Sequence, residues 1–181
     1  MKYVYLDTEY CYPGMERGTP RPTSADKRQI VQIAAIIYDT ETGEEVASFN
    51  QLVRPTYQKK LPEFFIELTG ITQDEVDSSS ITFEEAFGKF VDFCGSLPIR
   101  TFDKDEEVLR QNCVYINTAW PFASTFIRVK ALLPSLGVDP DMYSSGTLYK
   151  AAGLNLSGRV HNALHDVRSM AKALKVLEEK S

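Results

Sequence analysis

Cysteine is scarce in this chain, and its placement matches no metal or disulfide framework. Among 181 residues only Cys11, Cys94 and Cys113 are cysteines, and no two of them form a CxxC pair. This spacing predicts neither a zinc site built on cysteine pairs nor a disulfide-stapled scaffold. Free thiols are typical of a reducing compartment, and we therefore expect a cytoplasmic protein.

Long apolar segments and an excess of positive charge are also missing. The longest aliphatic run, residues 33–37, is far shorter than the ~18 residues of a membrane span. Acidic residues interrupt the N-terminal stretch where a secretory signal would lie. The net charge of −5 argues against a broad basic surface that grips long duplexes by counterion release. We expect no membrane association and one domain over residues 1–181, a length that supports a sizeable core.

The first ten residues read as a strand that ends in two carboxylates. Apolar and β-favouring residues lead into Asp7 and Glu9. Side chains two positions apart on a strand share a face, so these carboxylates should stand side by side and repel each other. A divalent cation would relieve that repulsion, because carboxylate oxygens suit Mg²⁺ and Mn²⁺. Taken alone, the pattern fits equally well a strand that simply ends in polar residues.

The remaining pattern predicts a mixed sheet with helices on its faces. Three antiparallel strands come first, and short strands then alternate with helices. Capping boxes at Thr72 and Thr82, each with a glutamate three residues later, mark two helix starts. We predict strands over 1–10, 29–39, 45–53, 98–102 and 114–117, and helices over 61–70, from 72 onward, and over 82–94, 104–112, 123–133, 147–152 and 162–179.

A long loop, residues 11–28, follows the first strand, and its proline and glycine steps mark it as irregular. It carries four basic residues, Arg17, Arg21, Lys27 and Arg28. Because it starts where the paired carboxylates end, it should border any site there. A solvated surface loop and a flap that faces substrate phosphates both fit this composition.

Near the C-terminus, a histidine precedes an aspartate by five residues. Five residues advance a helix by about 7.5 Å and turn it well past one turn, so His161 and Asp166 cannot share a helical stripe. They can face one site if His161 lies in the loop before the helix; a surface or capping histidine is the alternative. On the helix, His165 would point about 100° away from Asp166, and we expect it to be exposed.

Three motifs, in their order along the chain, carry a resemblance to a known family. Asp7-Thr8-Glu9, an aspartate after a short central strand, and His161-x-x-x-x-Asp166 resemble the DEDDh family of 3′-5′ exonucleases. Residues 49–55, 67–72 and 158–164 resemble its branch of small-RNA-degrading and histone-mRNA exoribonucleases. The resemblance covers nearly the whole chain. It implies a ribonuclease H-like α/β fold of three layers, with a mixed five-stranded sheet flanked by helices.

Two aspartates compete for the second motif of that family. The family places its aspartate at a helix start with an apolar residue four positions later. Asp105 is followed there by Leu109, whereas Asp103 is followed by Glu107 and fits a helix N-cap. We assign the motif to Asp105 and keep Asp103 as the alternative. The preceding Thr101-Phe102 departs from the glycine or asparagine that is usual in the family.

The resemblance implies a metal-dependent site for the 3′ end of single-stranded RNA or DNA, with RNA favoured and nucleoside 5′-monophosphates as products. His161 would be the general base, since an imidazole can take a proton from water near neutral pH. Two divalent cations, Mg²⁺ or Mn²⁺, would be held by Asp7, Glu9, Asp105 and Asp166. The terminal nucleotide would contact Thr8, Glu9, Tyr10, Leu68 and Thr69. A proofreading-type DNA exonuclease and a non-catalytic nucleic-acid-binding module on the same fold are the alternatives, and no protein partner is indicated.

Overall fold

A five-stranded mixed sheet forms the centre of the molecule. The computed structural model describes residues 1–20, 22, 25–123 and 125–180, so the predicted loop residue Arg21 lies outside the described part. The strands are β1 (Lys2–Cys11), β2 (Gln29–Asp39), β3 (Glu44–Leu52), β4 (Ile99–Thr101) and β5 (Phe126–Arg128), in the spatial order β3-β2-β1-β4-β5. The first three strands are antiparallel, and β1, β4 and β5 run parallel. The predicted fold class is thereby confirmed.

Helices connect and cover these strands. They are α1 (Glu63–Thr69), α2 (Gln73–Ser79), α3 (Phe83–Cys94), α4 (Asp105–Tyr115), α5 (Val129–Leu132) and α6 (Ala163–Glu179), with 3₁₀ helices at Leu133–Leu136 and Ser145–Lys150. Both predicted capping boxes are present, at Thr72 before α2 and at Thr82 before α3. In the described part of the chain, no helix combines the length and apolar character that crossing a membrane requires.

The two faces of the sheet carry separate apolar cores. Val4 and Leu6 of β1 pack with Phe90 of α3 on one face, while Tyr5 packs with Leu174 of α6 on the other. Burying a large apolar side chain contributes about 1.5–3 kcal/mol each. Side chains alternate along a strand, so residues 7 and 9 continue the row of Tyr5 and face the side that α6 covers. The packing of α6 thus decides what the two carboxylates meet.

The prediction of a fifth strand at 114–117 was wrong. Val114 and Tyr115 belong to the last turn of α4, and Val114 is 76% exposed. The fifth strand is instead β5, which falls inside the predicted helix 123–133. Among the described residues of that range, only Val129–Leu132 is α-helical. A short run of β-branched and aromatic residues occurs both at exposed helix ends and in edge strands. Three residues are too few to distinguish the helical repeat of 3.6 from the strand repeat of 2.

Two smaller predictions also need correction. The N-cap of α4 is Lys104 rather than Asp103, and no side chain caps this helix end. The predicted helix 147–152 is the 3₁₀ helix Ser145–Lys150, opened by a hydrogen-bonded Ser144–Thr147 pair. The conformation of so short a helix depends on the elements that it packs against. The spacing of residues along the chain does not indicate those contacts.

Candidate active site

Acidic side chains from three separate elements meet beside the second half of β1. Asp7 and Glu9 lie on the strand, Asp105 begins α4 just after β4, and Asp166 lies in the first turn of α6. The start of α6 is set by Asn162, whose side-chain oxygen accepts a hydrogen bond from the backbone N–H of His165 at 3.3 Å. Strand alternation and two helix starts therefore aim four carboxylates at one place.

These side chains line a cavity of about 450 Å³. Of the residues predicted for the site, all but one line it: Asp7, Thr8, Glu9, Tyr10, Leu68, Asp105, His161 and Asp166. The exception is Thr69, which is buried; its hydroxyl donates to the carbonyl of Phe65 at 2.9 Å and accepts from the N–H of Ile71 at 3.1 Å. Thr69 therefore shapes the turn behind Leu68 instead of facing the cavity.

Asp105 is fixed more firmly than its competitor Asp103. Its Oδ1 accepts two hydrogen bonds from Thr8, one from the backbone N–H at 2.9 Å and one from the hydroxyl at 2.8 Å. Asp105 is nine-tenths buried, whereas Asp103 lies at the edge of the same cavity and is partly exposed. The geometry thus places Asp105 with the acidic group and Asp103 at its rim.

Asp166 is held by the 3₁₀ helix that packs on α6. The hydroxyl of Ser145 donates to Asp166 Oδ2 at 3.2 Å. Gly146 packs so closely that a Cβ there would lie 2.8 Å from Asp166 Cγ. Among the described residues, the buried Oδ1 of Asp166 has no hydrogen-bond partner. A buried carboxylate oxygen without a partner is costly, and a bound cation would satisfy it.

His161 lies in the loop before α6, where the sequence places it. Its φ of +65° is in the left-handed region, which only a minority of non-glycine residues adopt. Two residues earlier, Arg159 donates to the carbonyl of Glu67 and so ties this loop to α1. One side-chain atom each of His161, Glu9 and Asp166 lie within 4.8 Å of one another. Burial, and next the charge of Arg159, lower the pKa of His161.

The prediction that His165 is exposed was wrong. His165 is 6% exposed, and its Nε2 lies 3.2 Å from the carbonyl oxygen of Gly146, within hydrogen-bond distance. Gly158 packs against the other side of the ring, where a Cβ would lie 3.1 Å from His165 Cγ. A helical wheel of α6 places the side chain of His165 on the face expected to be in solvent. In the structure, the 3₁₀ helix Ser145–Lys150 covers that face. His165 thus supports the same segment that holds Asp166.

The acidic group is electrostatically strained without a cation. Burial, and next the charge of Asp105, raise the pKa of Asp7 well above its usual range, and burial followed by Asp166 does the same for the pKa of Glu9. Burial raises the pKa of Asp105 to about 6 and the pKa of Asp166 to about 7, although hydrogen bonds from Thr8 and Ser145 oppose both shifts. Clustered carboxylate oxygens, one of them without a partner, fit hard divalent cations such as Mg²⁺ or Mn²⁺.

Several cavity residues were not predicted from the sequence. Ser145 stands 21 residues before Asp166 and belongs to no catalytic motif, so nothing in its own surroundings marks it. The adjacent Gly146 packs against Asp166, but it precedes the predicted helix 147–152, so no local pattern marked it either. The cavity is also lined by Phe64, Phe102 and Lys104, which were not predicted, and by Tyr12, Met15, Thr19 and Pro22 of the loop 11–28, which was expected to border the site.

A mixed sheet flanked by helices, with acidic side chains and a histidine converging beside its central strand, places the chain in the ribonuclease H-like fold class. Comparison with known families makes this more specific. Residues 4–174 match the family model described as Exonuclease (RNase_T). The chain therefore belongs to this exonuclease family.

Curated relatives are exoribonucleases. Human 3′-5′ exoribonuclease 1 is 27% identical over 164 residues, which cover 83% of this chain and 47% of that protein. Zebrafish ERI1 exoribonuclease 2 is 36% identical over 59 residues, or 33% of this chain and 11% of that protein. The chain spans about half the length of the human relative.

Solved structures share the fold over nearly the whole chain. The nuclease domain of 3′hExo, a DEDDh family member bound to rAMP, aligns with a TM-score of 0.85 and 24% identity over 99% of this chain and 92% of that one. Cell-death related nuclease 4 (CRN-4) aligns with a TM-score of 0.80 and 18% identity, covering 99% and 64%. E. coli exonuclease I in complex with a dA16 oligonucleotide aligns with a TM-score of 0.70 and 18% identity, over 98% of this chain and 41% of that one. The fold is that of the DEDDh nucleases.

Proposed function

We propose that this chain is a metal-dependent 3′-5′ exonuclease that releases nucleoside 5′-monophosphates from single-stranded nucleic acid, with RNA preferred to DNA. The observation that carries this proposal is the convergence of Asp7, Glu9, Asp105, Asp166 and His161 in one cavity. Membership of the exonuclease family and the names of the curated relatives support the same reaction.

Asp7, Glu9, Asp105 and Asp166 are the proposed ligands of two divalent cations, Mg²⁺ or Mn²⁺. Burial and mutual repulsion raise the pKa values of these carboxyl groups, and Oδ1 of Asp166 has no hydrogen-bond partner among the described residues. Closely packed carboxylate oxygens of this kind are the ligands that divalent cations prefer. When bound, such ions would make a water more acidic and would stabilise the charge that develops on the leaving 3′ oxygen. Thr8 and Ser145 keep the ligand oxygens in place by the hydrogen bonds that they donate.

His161 is the proposed general base. Its lowered pKa keeps the imidazole neutral near pH 7, and only the neutral ring can accept a proton. The ring lies at the cavity beside Glu9 and Asp166, where a water attacking the phosphodiester would stand. The Arg159–Glu67 hydrogen bond positions this loop, since it holds the strained backbone at His161 against α1.

The terminal nucleotide is proposed to lie against Thr8, Tyr10 and Leu68, with Thr69 supporting the turn from behind. These residues line the cavity next to the carboxylates, as the substrate sugar and base would require. The preference for RNA rests on the relatives, which are exoribonucleases by name, and on one structural neighbour that recognises a histone mRNA stem-loop at its 3′ end.

The test of the reaction uses a 5′-labelled RNA oligomer, purified protein and Mg²⁺ or Mn²⁺. Wild type should shorten the strand one nucleotide at a time from the 3′ end and release 5′-monophosphates. Asp7→Ala and Asp166→Asn should each lower the rate by at least 1,000-fold, on the order expected when metal ligands are lost. Asp103→Asn is the matched control, because it removes an acid from the cavity rim, and it should retain most of the activity. Undiminished release by both ligand variants would refute the proposal.

Sugar preference needs a separate assay. Matched RNA and DNA oligomers of one sequence differ at the 2′-hydroxyl, the group by which a site distinguishes the two. We expect a higher kcat/KM on RNA. Faster cleavage of DNA would leave the exonuclease assignment in place and would instead support the proofreading-type alternative.

A further inference from the structure

An exposed tyrosine with a lysine on its ring stands outside the catalytic cavity. Tyr57, in the loop between β3 and α1, is 52% exposed. Its ring meets the Tyr115 ring edge-on with the ring centres 5.5 Å apart, and Lys27 Nζ lies 4.8 Å from the centre of the Tyr57 ring. We call Tyr57, Tyr115 and Lys27 the platform. None of the three lines the catalytic cavity, so the platform is a separate surface.

Hydrogen bonds fix the platform in place. Gln29, the first residue of β2, is buried, and its Oε1 accepts from the backbone N–H of Tyr57 at 2.5 Å and of Gln58 at 3.3 Å. The Tyr57 hydroxyl donates to the backbone carbonyl of Tyr115 at 3.5 Å. A ring that is already ordered loses little conformational entropy when it binds a ligand, so Tyr57 is an efficient contact surface.

Positive charge lies on the platform and next to it in the sequence. The loop segment 54–60 carries Arg54, Lys59 and Lys60 and no acidic residue, although the protein has a net charge of −5. Lys27, Lys59 and Lys60 are exposed, and none of them forms an ion pair with another described residue. An aromatic ring beside cations is the combination that binds single-stranded nucleic acid.

Helix α4 connects the platform to the cavity. It begins at Asp105, which lines the cavity, and ends at Tyr115, and these ten residues advance a helix by about 15 Å. Near its end, the side-chain amide of Asn112 donates to the carbonyl of Arg28 at 3.0 Å, so the segment that carries Lys27 is held against the same helix. The platform and the carboxylates therefore stand at a fixed separation.

This separation and the surroundings of Tyr57 fit a strand of nucleic acid. A stacked strand advances about 3.4 Å per nucleotide, so about four nucleotides span about 15 Å. A protein partner would instead need an apolar surface at the centre of its contact, and the loop neighbours of Tyr57, Thr56 and Gln58, are polar. The occupant that the platform favours is therefore the strand whose 3′ end lies in the cavity.

We infer that the platform is a second binding site, which holds a base and a phosphate of the substrate strand about four nucleotides upstream of its 3′ end. This inference rests on the proposed function, because the strand is the substrate of the same enzyme. Stacking on Tyr57 and the charge of Lys27 strengthen the binding of strands that reach the platform and leave shorter strands unaffected. The platform thus makes kcat/KM depend on strand length.

The first experiment compares RNA oligomers of two and eight nucleotides and reads kcat and KM for release of the first nucleotide. The dinucleotide is too short to reach the platform, whereas the octamer extends past it. Tyr57→Ala removes the ring, and Tyr57→Phe is its matched control because it keeps the ring. Lys27→Ala removes the charge, and Lys172→Ala is its control, since this lysine of α6 is also exposed and lies outside the cavity lining. Thermal melting checks that each variant is folded.

We expect wild type to have a kcat/KM at least tenfold higher on the octamer than on the dinucleotide. Tyr57→Ala should raise KM for the octamer at least fivefold, as expected when one base–aromatic stack is lost, and should change kcat and the dinucleotide constants less than twofold. Lys27→Ala should reduce the slope of log kcat/KM against log salt on the octamer by about 0.7, the share of one phosphate contact. Tyr57→Phe and Lys172→Ala should stay within twofold of wild type.

A binding measurement separates this inference from the proposed function. Fluorescence anisotropy of the labelled octamer on Asp166→Asn protein with Mn²⁺ reports binding without cleavage, and adding Tyr57→Ala should weaken that binding at least fivefold. A folded Tyr57→Ala protein with wild-type KM and undiminished binding of the octamer overturns the inference, as does a wild type with equal kcat/KM on both lengths. A wild type that releases no nucleotide from either oligomer, but binds the octamer through Tyr57, contradicts the proposed function instead.

Discussion

Replacing Asp105 by asparagine should make the metal-free protein more stable. Asparagine keeps the Oδ1 that accepts both hydrogen bonds from Thr8, at 2.9 and 2.8 Å. It removes a buried negative charge that stands near Asp7, whose pKa burial and then the Asp105 charge raise well above the usual range. The new amide can donate toward that neighbouring carboxylate. The substitution therefore relieves repulsion and loses no hydrogen bond that the carboxylate makes.

The magnitude follows from the pKa of Asp105, which burial raises from 3.8 to about 6. A shift of about two pKa units corresponds to about 3 kcal/mol at 1.36 kcal/mol per unit. Because the folded-state pKa is raised, stability is lost as the pH rises from about 4 through about 6, and the loss is complete above that. Asparagine is neutral at every pH, so the stability of Asp105→Asn relative to wild type should be unchanged near pH 4 and should reach its full gain at pH 7.5. For a chain of this size we expect a Tm increase of about 6–12 °C.

The assay is thermal unfolding of EDTA-treated protein at pH 7.5 and at pH 4.5, with and without Mn²⁺. Asp92→Asn, an exposed substitution on α3, is the control and should change Tm by no more than about 2 °C. Mn²⁺ should raise the Tm of wild type by binding the folded state, and should raise that of Asp105→Asn much less. Without metal, Asp105→Asn should have the higher Tm. This difference in Tm should therefore shrink or reverse when Mn²⁺ is present.

Two results would refute this reasoning. One is a metal-free Asp105→Asn protein that melts below wild type at pH 7.5. The other is a gain in Tm of equal size at pH 4.5 and pH 7.5, which would show that relief of charge is not its cause. Either result would mean that the acidic cluster does not strain the fold, and the case for a cation site would lose its energetic support.

Three further predictions address the support of the site and the core. Gly146→Ala should push on the Asp166 carboxylate and lower kcat/KM at least 100-fold while the Tm stays within about 4 °C of wild type; steady-state kinetics and melting check this, and normal turnover would contradict it. His165→Leu removes the ring nitrogen that faces the Gly146 carbonyl and should weaken Mn²⁺ binding about tenfold by calorimetry, with partial recovery in His165→Gln. Phe90→Ala should cost about 3–5 kcal/mol in urea unfolding, because this fully buried ring is lost from the core; a cost below about 1 kcal/mol would mean that the core collapses around the gap.

Strong local patterns made much of the fold predictable. The bounds of β2 were predicted as Gln29–Asp39, the range that the structure shows, because a buried apolar run ends there at a turn. The capping boxes at Thr72 and Thr82 marked helix starts because their hydrogen bonds are local. Strand β5 was missed since its pairing with β4 is its main support, and residues 126–128 carry no period of their own.

Local pattern and family resemblance led to the acids of the site, whereas their surroundings were not predicted. Asp7 and Glu9 share a face by strand alternation alone, while Asp105 was preferred to Asp103 because the family that the chain resembles has an apolar residue four positions after its aspartate. His165 and Ser145 owe their positions to the packing of the 3₁₀ helix on α6, a contact between segments about 20 residues apart. Local periodicity holds no information about such a contact, so the support of the site appears only in three dimensions.

Three of the four carboxylates of the site lie on the first strand and on a helix about 160 residues later in the chain, and Asp105 of α4 lies between them in sequence. During synthesis, β1 and α4 leave the ribosome before α6, so a growing polypeptide carries Asp7, Glu9 and Asp105 without Asp166. We expect that nascent chains which have not yet released α6 cannot cut nucleic acid.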